Sequence, residues 1–255
     1  MKNYFKTMVG LACVAIIGLL IVMKPSVSKG VIQETREKPA PPTVSVESQS
    51  GSPLKMIVTS VNSTDPLKPE IEYSLVNTGQ KVIRAYAVRH AFITPHSKFT
   101  SSDCQVSRAS TSFLQPGQTT YGSMNNSGSN ETITSIILTV DVVEFDDGEY
   151  WGPNLTNARD LINGMHSGMK AAVGFYQQKK EKTNLEGIAR NLTHRTEQDT
   201  ATSLPLPENK SPEWNKGYKN GIASISARLT QAYNNYGIEE LDNELSRAAR
   251  QLERR

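Results

Sequence analysis

The sequence predicts an α+β protein, in which an N-terminal apolar helix precedes an antiparallel β-domain and a C-terminal helical tail. Three observations support this order. An apolar run follows two lysines near the N-terminus, β-rich runs separated by turn residues occupy the middle of the chain, and apolar residues recur at helical spacing after Pro153. We therefore divide the 255 residues into an export segment at 1–29, a linker at 30–53, a β-domain at 54–153 and a helical tail at 154–255.

The export segment has a positive start and an apolar stretch, which is typical of a secretory signal peptide or a signal-anchor. Lys2 and Lys6 precede an apolar run over residues 8–23. The small-x-small triplet at residues 26–28 favours cleavage, whereas the unbroken run favours a retained helix, slightly short of the roughly 20 residues that span a bilayer. Both alternatives place the body of the chain outside the cytoplasm, with the N-terminus of a retained anchor inside.

The linker at 30–53 contains prolines together with Ser, Glu, Gln and Gly, and offers little apolar surface to pack. Such a composition predicts an extended spacer that holds a folded domain away from a membrane.

Short apolar runs between turn residues predict the strands of the β-domain. The predicted strands cover residues 55–61, 71–76, 81–92, 119–124, 133–145 and 149–151. The polar stretch after Phe92 is typical of a loop. Asp147-Gly148 predicts a two-residue hairpin turn, since glycine accepts a positive φ. The predicted core includes Ile57, Tyr73, Leu75, Val82, Ile137 and Val143.

The turn residues of the β-domain carry a family resemblance. One predicted strand ends in Asn77-Thr78-Gly79, and a second strand follows it. The motif Leu-x-Pro-Gly-Gln at 114–118 then precedes another strand. This order resembles the bacterial immunoglobulin-like β-sandwiches of the FxLYD and CARDB kind. The resemblance covers residues 54–153 and implies an antiparallel sandwich of about seven strands. It also implies a spacer, adhesion unit or binding module, and no catalysis.

Capping residues and apolar stripes predict the helices of the tail. Asn157, with Asp160 three residues on, and Ser211, with Pro212 after it, have the form of helix N-caps. Three stripes follow at helical spacing. They are Leu161, Met165, Met169, Ala172 and Tyr176; Trp214, Tyr218, Ile222, Ile225, Leu229 and Tyr233; and Ile238, Leu241, Leu245, Ala248 and Leu252. Residues 185–192 extend the first helix or form a separate one.

Two pairs of glycines, 53 residues apart, suggest how the helices of the tail pack. Gly164 and Gly168 share a spacing of four with Gly217 and Gly221. Because a glycine inside a helix costs about 1 kcal/mol relative to alanine, we expect the pairs to mark a close approach of two helix backbones. The alternative is that the repeat arose by chance, with the tail a partner-binding or disordered extension.

No set of residues in the sequence forms a convincing catalytic, cofactor or metal site. The four histidines, His90, His96, His166 and His194, lack the spacing of zinc ligands and are interpreted as surface residues. Cys104 has Asp103 beside it but no evident base, and is interpreted as an ordinary thiol that cannot pair with Cys13 in the export segment.

The acidic residues between Asp141 and Glu149 are the most suggestive group, because calcium binds six to eight oxygens. The group consists of Asp141, Glu144, Asp146, Asp147 and Glu149. Strand alternation would place Asp141, Asp147 and Glu149 on one face and the other two on the opposite face. A solvated hairpin tip is therefore favoured over a cation site, and the sequence leaves the question open.

These observations favour an exported, non-enzymatic envelope protein that binds or spaces another macromolecule. Its membrane contact is the N-terminal helix, and its partner is an unknown protein or envelope component. The net charge of +3 includes no basic cluster of the kind that binds nucleic acid. The alternatives are an exported enzyme with a dispersed active site and an assembly subunit that docks a partner through its tail.

The export segment gives a test of topology. Reporter enzymes fused after Gly30 should be active only when the reporter is one that works outside the cytoplasm. An active cytoplasmic reporter fused at residue 100 would contradict the predicted orientation.

Overall fold

A computed structural model gives the fold, and it describes residues 40–65, 67–106, 114–125, 130–194 and 203–253. The chain divides into two units, Met1–Lys38 and Pro39–Arg255, and every described residue belongs to the second. The predicted export segment at 1–29 lies outside the described residues. Within them, no helix combines the length and the apolar character needed to cross a membrane.

The described residues form eight strands followed by three helices, which confirms the α+β class. The strands are β1 (Thr43–Glu47), β2 (Leu54–Asn62), β3 (Glu70–Asn77), β4 (Ile83–Ile93), β5 (Lys98–Val106), β6 (Thr119–Asn125), β7 (Ser135–Phe145) and β8 (Tyr150–Trp151). The helices are α1 (Ala158–His194), α2 (Pro212–Tyr236) and α3 (Ile238–Glu253).

The strands form two sheets. Sheet A has the order β1-β7-β4-β5, with β8 also paired to β7, and sheet B has the order β2-β3-β6. All pairs are antiparallel except β1 with β7, which run parallel. Every pair within residues 54–153 is antiparallel as predicted, and the parallel pair comes from β1, which precedes the predicted β-domain.

Strand β1 also corrects the linker predicted at 30–53. Its sequence Thr-Val-Ser-Val-Glu alternates, so that Val44 and Val46 pack against the core while their neighbours are exposed. This alternation is enough for an edge strand, although the prolines before it are typical of a linker.

The two sheets face each other across one apolar core. Residues from β2, β3 and β6 of sheet B meet residues from β4 and β7 of sheet A in a single buried cluster. Val82 and Ile137 are half-buried and lie outside this cluster, whereas Tyr73, Leu75 and Val143 belong to it as predicted. Ile57 does not, because Met56 and Val58 face inward and alternation turns Ile57 to the opposite face, where it is 45% exposed.

Strand β4 is buried on both sides, which explains its nearly continuous apolar sequence. Val88 and Phe92 face sheet B, whereas Ala85 and Ala87 belong to a second cluster that includes residues of all three helices. Helix α1 therefore covers the face of sheet A that points away from sheet B, and Val106 and Val142 pack in the same cluster.

Strand β5 was predicted as a polar loop. Its residues, Lys-Phe-Thr-Ser-Ser-Asp-Cys-Gln-Val, pair with β4 in an unbroken antiparallel register from Val106 to Lys98. The strand lies at the edge of sheet A, so few of its side chains are buried. This segment forms a strand because it pairs with the buried strand β4. An edge strand has few apolar residues, so its sequence does not show the alternation that predicts a strand.

The predicted N-cap is confirmed for α2 and differs from the observed start of α1. The Ser211 hydroxyl accepts a hydrogen bond from the Trp214 amide, as the predicted N-cap does. Asn157 has a positive φ of 54°, and the side chain of Asn154 instead accepts from the Arg159 amide at 2.9 Å. Helix α1 is interrupted at Asn184, so residues 185–192 form a distinct segment of it.

The glycine pairs lie at the contact between α1 and α2, which confirms the predicted close approach. A Cβ atom built on Gly168 would lie 2.0 Å from the carbonyl oxygen of Tyr218, and one on Gly164 would lie 2.1 Å from that of Trp214. The relation is reciprocal, because Cβ atoms on Gly217 and Gly221 would lie 2.1 and 2.2 Å from carbonyl oxygens of α1. The backbones touch, and no side chain fits between them.

Two substitutions of the same kind on α1 test this contact. Gly168→Ala should lower the free energy of unfolding by about 1–3 kcal/mol, the usual cost of overpacking, because backbone atoms cannot yield to the new methyl group. Gly174→Ala is the matched control, since nothing lies within 4 Å of its Cβ position. It should raise stability by up to about 1 kcal/mol through helix propensity. Urea unfolding measures both, and equal effects would contradict the packing.

Candidate functional site

The most concentrated group of buried polar residues lies where α1 crosses sheet A. Glu144 on β7 is buried, and its carboxylate lies 2.7 Å from Nε2 of His166 on α1. The other carboxylate oxygen lies 3.9 Å from the guanidinium of Arg84, which is also buried. Arg84 occupies a register shift between β4 and β7, which turns its side chain out of the regular alternation.

A tyrosine, Tyr150, and a cysteine, Cys104, border this cluster. The Tyr150 hydroxyl donates to the side-chain oxygen of Asn163 on α1 at 3.1 Å, and the Arg159 guanidinium lies over the Tyr150 ring. Burial, with the negative charge of Glu144, raises the pKa of Tyr150. Burial likewise raises the pKa of Cys104 to about 12, with added effects of Glu144 and Asp103. The thiol therefore stays protonated at neutral pH and is a poor nucleophile.

The geometry of the cluster is that of a structural tie between sheet A and α1. Glu144 joins a residue from each layer, and a buried carboxylate needs such partners. Two cavities of about 330 and 450 Å³ lie elsewhere in the described part of the chain, and no residue of the cluster lines either of them.

Two of the four histidines, His90 and His166, are placed differently from the surface positions predicted for them. His90 is buried between the sheets, with Tyr73 and Phe92 rings each 6.4 Å away, and burial lowers its pKa. His166 is half-buried against Glu144, whereas His96 is exposed as predicted. The side chain of His194 lies outside the described residues. The period-2 pattern of β4 could have located His90 in the core, but nothing in the sequence links His166 to Glu144.

The acidic residues of β7 and β8 are divided among separate partners. Asp147 and Glu149 flank Lys81 at 2.6 and 2.5 Å at the exposed tip of the hairpin. The hydrogen bond from Lys81 lowers the pKa of Asp147. The hairpin loop has three residues, because Phe145 bonds to Glu149, so the predicted two-residue turn is wrong by one position.

Asp141 has a purely structural role at the start of the tail. Its buried carboxylate accepts from the amides of Leu155 and Thr156 at 2.7 and 3.0 Å and from the Thr156 hydroxyl at 2.6 Å. A bulge between Val140 and Val142 shifts the alternation, so Asp141 and Glu144 both face the tail. The predicted division of the acidic residues between faces is wrong for this reason. Among the described residues, no group of His, Cys, Asp and Glu is arranged to hold a metal ion.

A second buried ion-pair group lies between α2 and α3. The carboxylate of Glu244 contacts the guanidinium groups of Arg228 and Arg247, and Arg247 also contacts Glu240 at 3.3 Å. The Arg228–Glu244 pair therefore joins α2 to α3, whereas both contacts of Arg247 lie within α3.

The outer face of sheet B, which points away from sheet A, carries exposed apolar side chains. Ile57 on β2, Ser74 on β3 and Tyr121 on β6 form one row across the sheet. Tyr121 is 77% exposed. The 330 Å³ cavity lies at the end of this sheet; its lining includes Ser60, Asn62, Glu70, Glu72, Ser123 and Asn125.

Comparison with known proteins identifies no family. No protein-family model matches the chain, and no curated protein matches its sequence. Among solved structures, a hypothetical protein from Peptoclostridium difficile 630 is similar over 44% of this chain and 91% of its own, with 12% identity and a TM-score of 0.30. A β-glucosidase from Kluyveromyces marxianus is similar over 38% of this chain and 14% of its own, with 17% identity and a TM-score of 0.23. Likenesses of this size support no conclusion about function.

The Glu144 cluster gives a test of its structural role. Glu144→Gln should lower the free energy of unfolding by about 3 kcal/mol, because Arg84 would be left buried without a counter-charge. Glu149→Gln, on the exposed hairpin tip, is the control and should leave the unfolding midpoint unchanged within error. Chemical denaturation measures both. A stable Glu144→Gln variant would show that the buried pair contributes nothing to the joint between α1 and sheet A.

Proposed function

We propose that this chain is an exported envelope protein that binds another macromolecule without catalysis. The N-terminal pattern of Lys2, Lys6 and the apolar run at 8–23 supports export, with a retained anchor or a cleaved signal peptide. We further propose that the two facing sheets are an immunoglobulin-like sandwich of the FxLYD and CARDB kind, because the turn residues of the β-domain resemble those of such domains. In this proposal the sandwich is the scaffold that binds the partner.

The observation that carries the proposal is the asymmetry of the two sheets. The helical tail covers the outer face of sheet A, whereas the outer face of sheet B carries the exposed side chains of Ile57 and Tyr121 in one row, on either side of Ser74. A solvated sheet face usually alternates polar residues outward, so two exposed large apolar side chains in one row favour a contact surface. Tyrosine is among the residues enriched in protein interfaces.

Both rival functions have less support. A catalytic site usually gathers its titrating groups in an open cleft, but the Glu144 carboxylate is buried and is held by His166 and Arg84. An assembly subunit would present an apolar stripe on its tail, but every residue of the three predicted stripes except Leu161 belongs to, or packs against, the cluster that the helices share with sheet A.

Site-specific photo-crosslinking in intact cells tests the binding face. A photoreactive amino acid replaces Tyr121 in one variant and Tyr236 in the other; these side chains are exposed to 77% and 76%. We expect a discrete adduct from position 121 and none from position 236, which lies at the end of α2. Equal labelling at both positions, or an adduct from 236 alone, would contradict a partner on sheet B.

A further inference from the structure

We propose that the free edge of β6 binds an extended strand of a partner protein, antiparallel to β6, with a basic residue two positions before an aromatic one. This inference rests on the proposed binding function and specifies its surface and the chemistry of its partner. Addition of a strand to a sheet edge is a common mode of peptide recognition, in which main-chain hydrogen bonds give affinity and side-chain contacts give specificity.

Among the edges of the two described sheets, β6 alone lacks the features that block strand addition. Natural edges are protected by charged residues, bulges or short length. Strand β2 has Lys55 and a bulge between Val58 and Ser60, β5 has Lys98, and β1 has five residues including Glu47. Strand β6, Thr-Thr-Tyr-Gly-Ser-Met-Asn, has seven residues, no charge and no proline, and its register with β3 is unbroken.

The hydrogen-bond pattern shows which backbone groups of β6 face the open edge. The carbonyl of Gln118 accepts from the amide of Asn77 on the neighbouring chain segment at 3.0 Å. Since N–H and C=O groups alternate along a strand, those of Thr119, Tyr121 and Ser123 point away from β3. No described residue pairs with them. They offer the regular donors and acceptors that an added strand requires.

The side chains beside this edge select the charge of the partner. Glu72 lies directly across from Ser123 on the outer face, and Glu70 lies across from Asn125. Both carboxylates border the 330 Å³ cavity, and Glu72 makes no ion pair or hydrogen bond with any described residue. An added strand would lie about 10 Å from β3. A Lys or Arg opposite Ser123 can cross that small side chain to reach Glu72.

The next residue on the same face of the added strand would lie opposite Tyr121. Because the added strand runs antiparallel, the residue opposite Tyr121 comes two positions after the one opposite Ser123. An aromatic side chain there would cover the exposed Tyr121 ring, and aromatic cross-strand pairs are among the favourable ones. The pattern is therefore basic, any residue, aromatic.

A second copy of this chain fits the same edge less well. Antiparallel pairing of two β6 strands about Tyr121 would place Thr119 of the second copy opposite Ser123. Glu72, which shares the row of Ser123, would then gain no cation. Charge complementarity thus favours a basic strand from another protein.

Peptide binding to the full chain in mild detergent tests the proposal. The probe is a blocked Thr-Lys-Thr-Phe-Thr-Val peptide, measured by fluorescence anisotropy and by amide chemical shifts of β6. Exchange of its Lys for Glu should abolish binding. N-methylation of the Lys and Phe amides, which would face β6, should also abolish it, whereas N-methylation of the second and third Thr should not.

Variants of the protein separate charge from backbone pairing. Glu72→Gln should weaken binding about twofold to fivefold, the range of an exposed ion pair, and Glu186→Gln on α1 should not change it. Ser123→Pro should weaken binding by roughly tenfold or more, since it removes an outward amide that an added strand would use, with an unchanged unfolding midpoint.

The proposal is overturned by equal binding of the Lys and Glu peptides, by equal binding of the two N-methylated peptides, by the absence of any peptide binding, or by a dimer of the chain that Ser123→Pro dissociates. If no peptide binds while the photoreactive group at position 121 still captures a partner, the edge assignment is wrong and the proposed binding function stands.

Discussion

Helix α1 is the element on which the other layers depend, because one side of it packs against sheet A and another against α2. Its contact with α2 is made by backbone atoms, since the glycines leave no side chain between the helices. Close backbone contact gives dense dispersion interactions but tolerates no added volume. The hydroxyl of Ser211 on the N-cap of α2 also donates to Asp160 on α1 at 2.6 Å, which fixes the two helix starts together.

The position of α1 explains both the buried charges and the open face. Glu144 and Asp141 on β7 are directed at the tail by the bulge, and there they bind His166 and the two amides before α1. These carboxylates serve the joint between layers and are not available to a ligand. With one sheet face covered in this way, the outer face of sheet B and the edge of β6 become the surfaces on which we place the partner.

The sequence predicted most of the elements and missed features that depend on pairing between distant residues. Helical stripes, the Ser211 cap and the glycine pairs are local patterns, and each was confirmed at the predicted position. Strands β1 and β5 are edge strands whose polar composition resembles a linker or loop, so pairing with β7 and β4 determines them. The Asp141 side chain faces the tail because of a bulge in β7, and strand periodicity cannot reveal a bulge.

The central claim is that the cluster between the sheets and the cluster between sheet A and the helices unfold as one unit, because strands of sheet A belong to both. Two tryptophans allow a direct test. Trp151 lies in β8 and packs against the core between the sheets, whereas Trp214 lies in α2 and packs against the helical cluster. Urea unfolding of the single-tryptophan variants Trp214→Phe and Trp151→Phe follows each region separately. A cooperative unit gives coincident transitions with different probes. In each variant we therefore expect the fluorescence transition and the circular dichroism transition to have the same urea midpoint. A Trp214 transition at lower urea than that of Trp151 would contradict the account, since the tail would then unfold apart from the sheets.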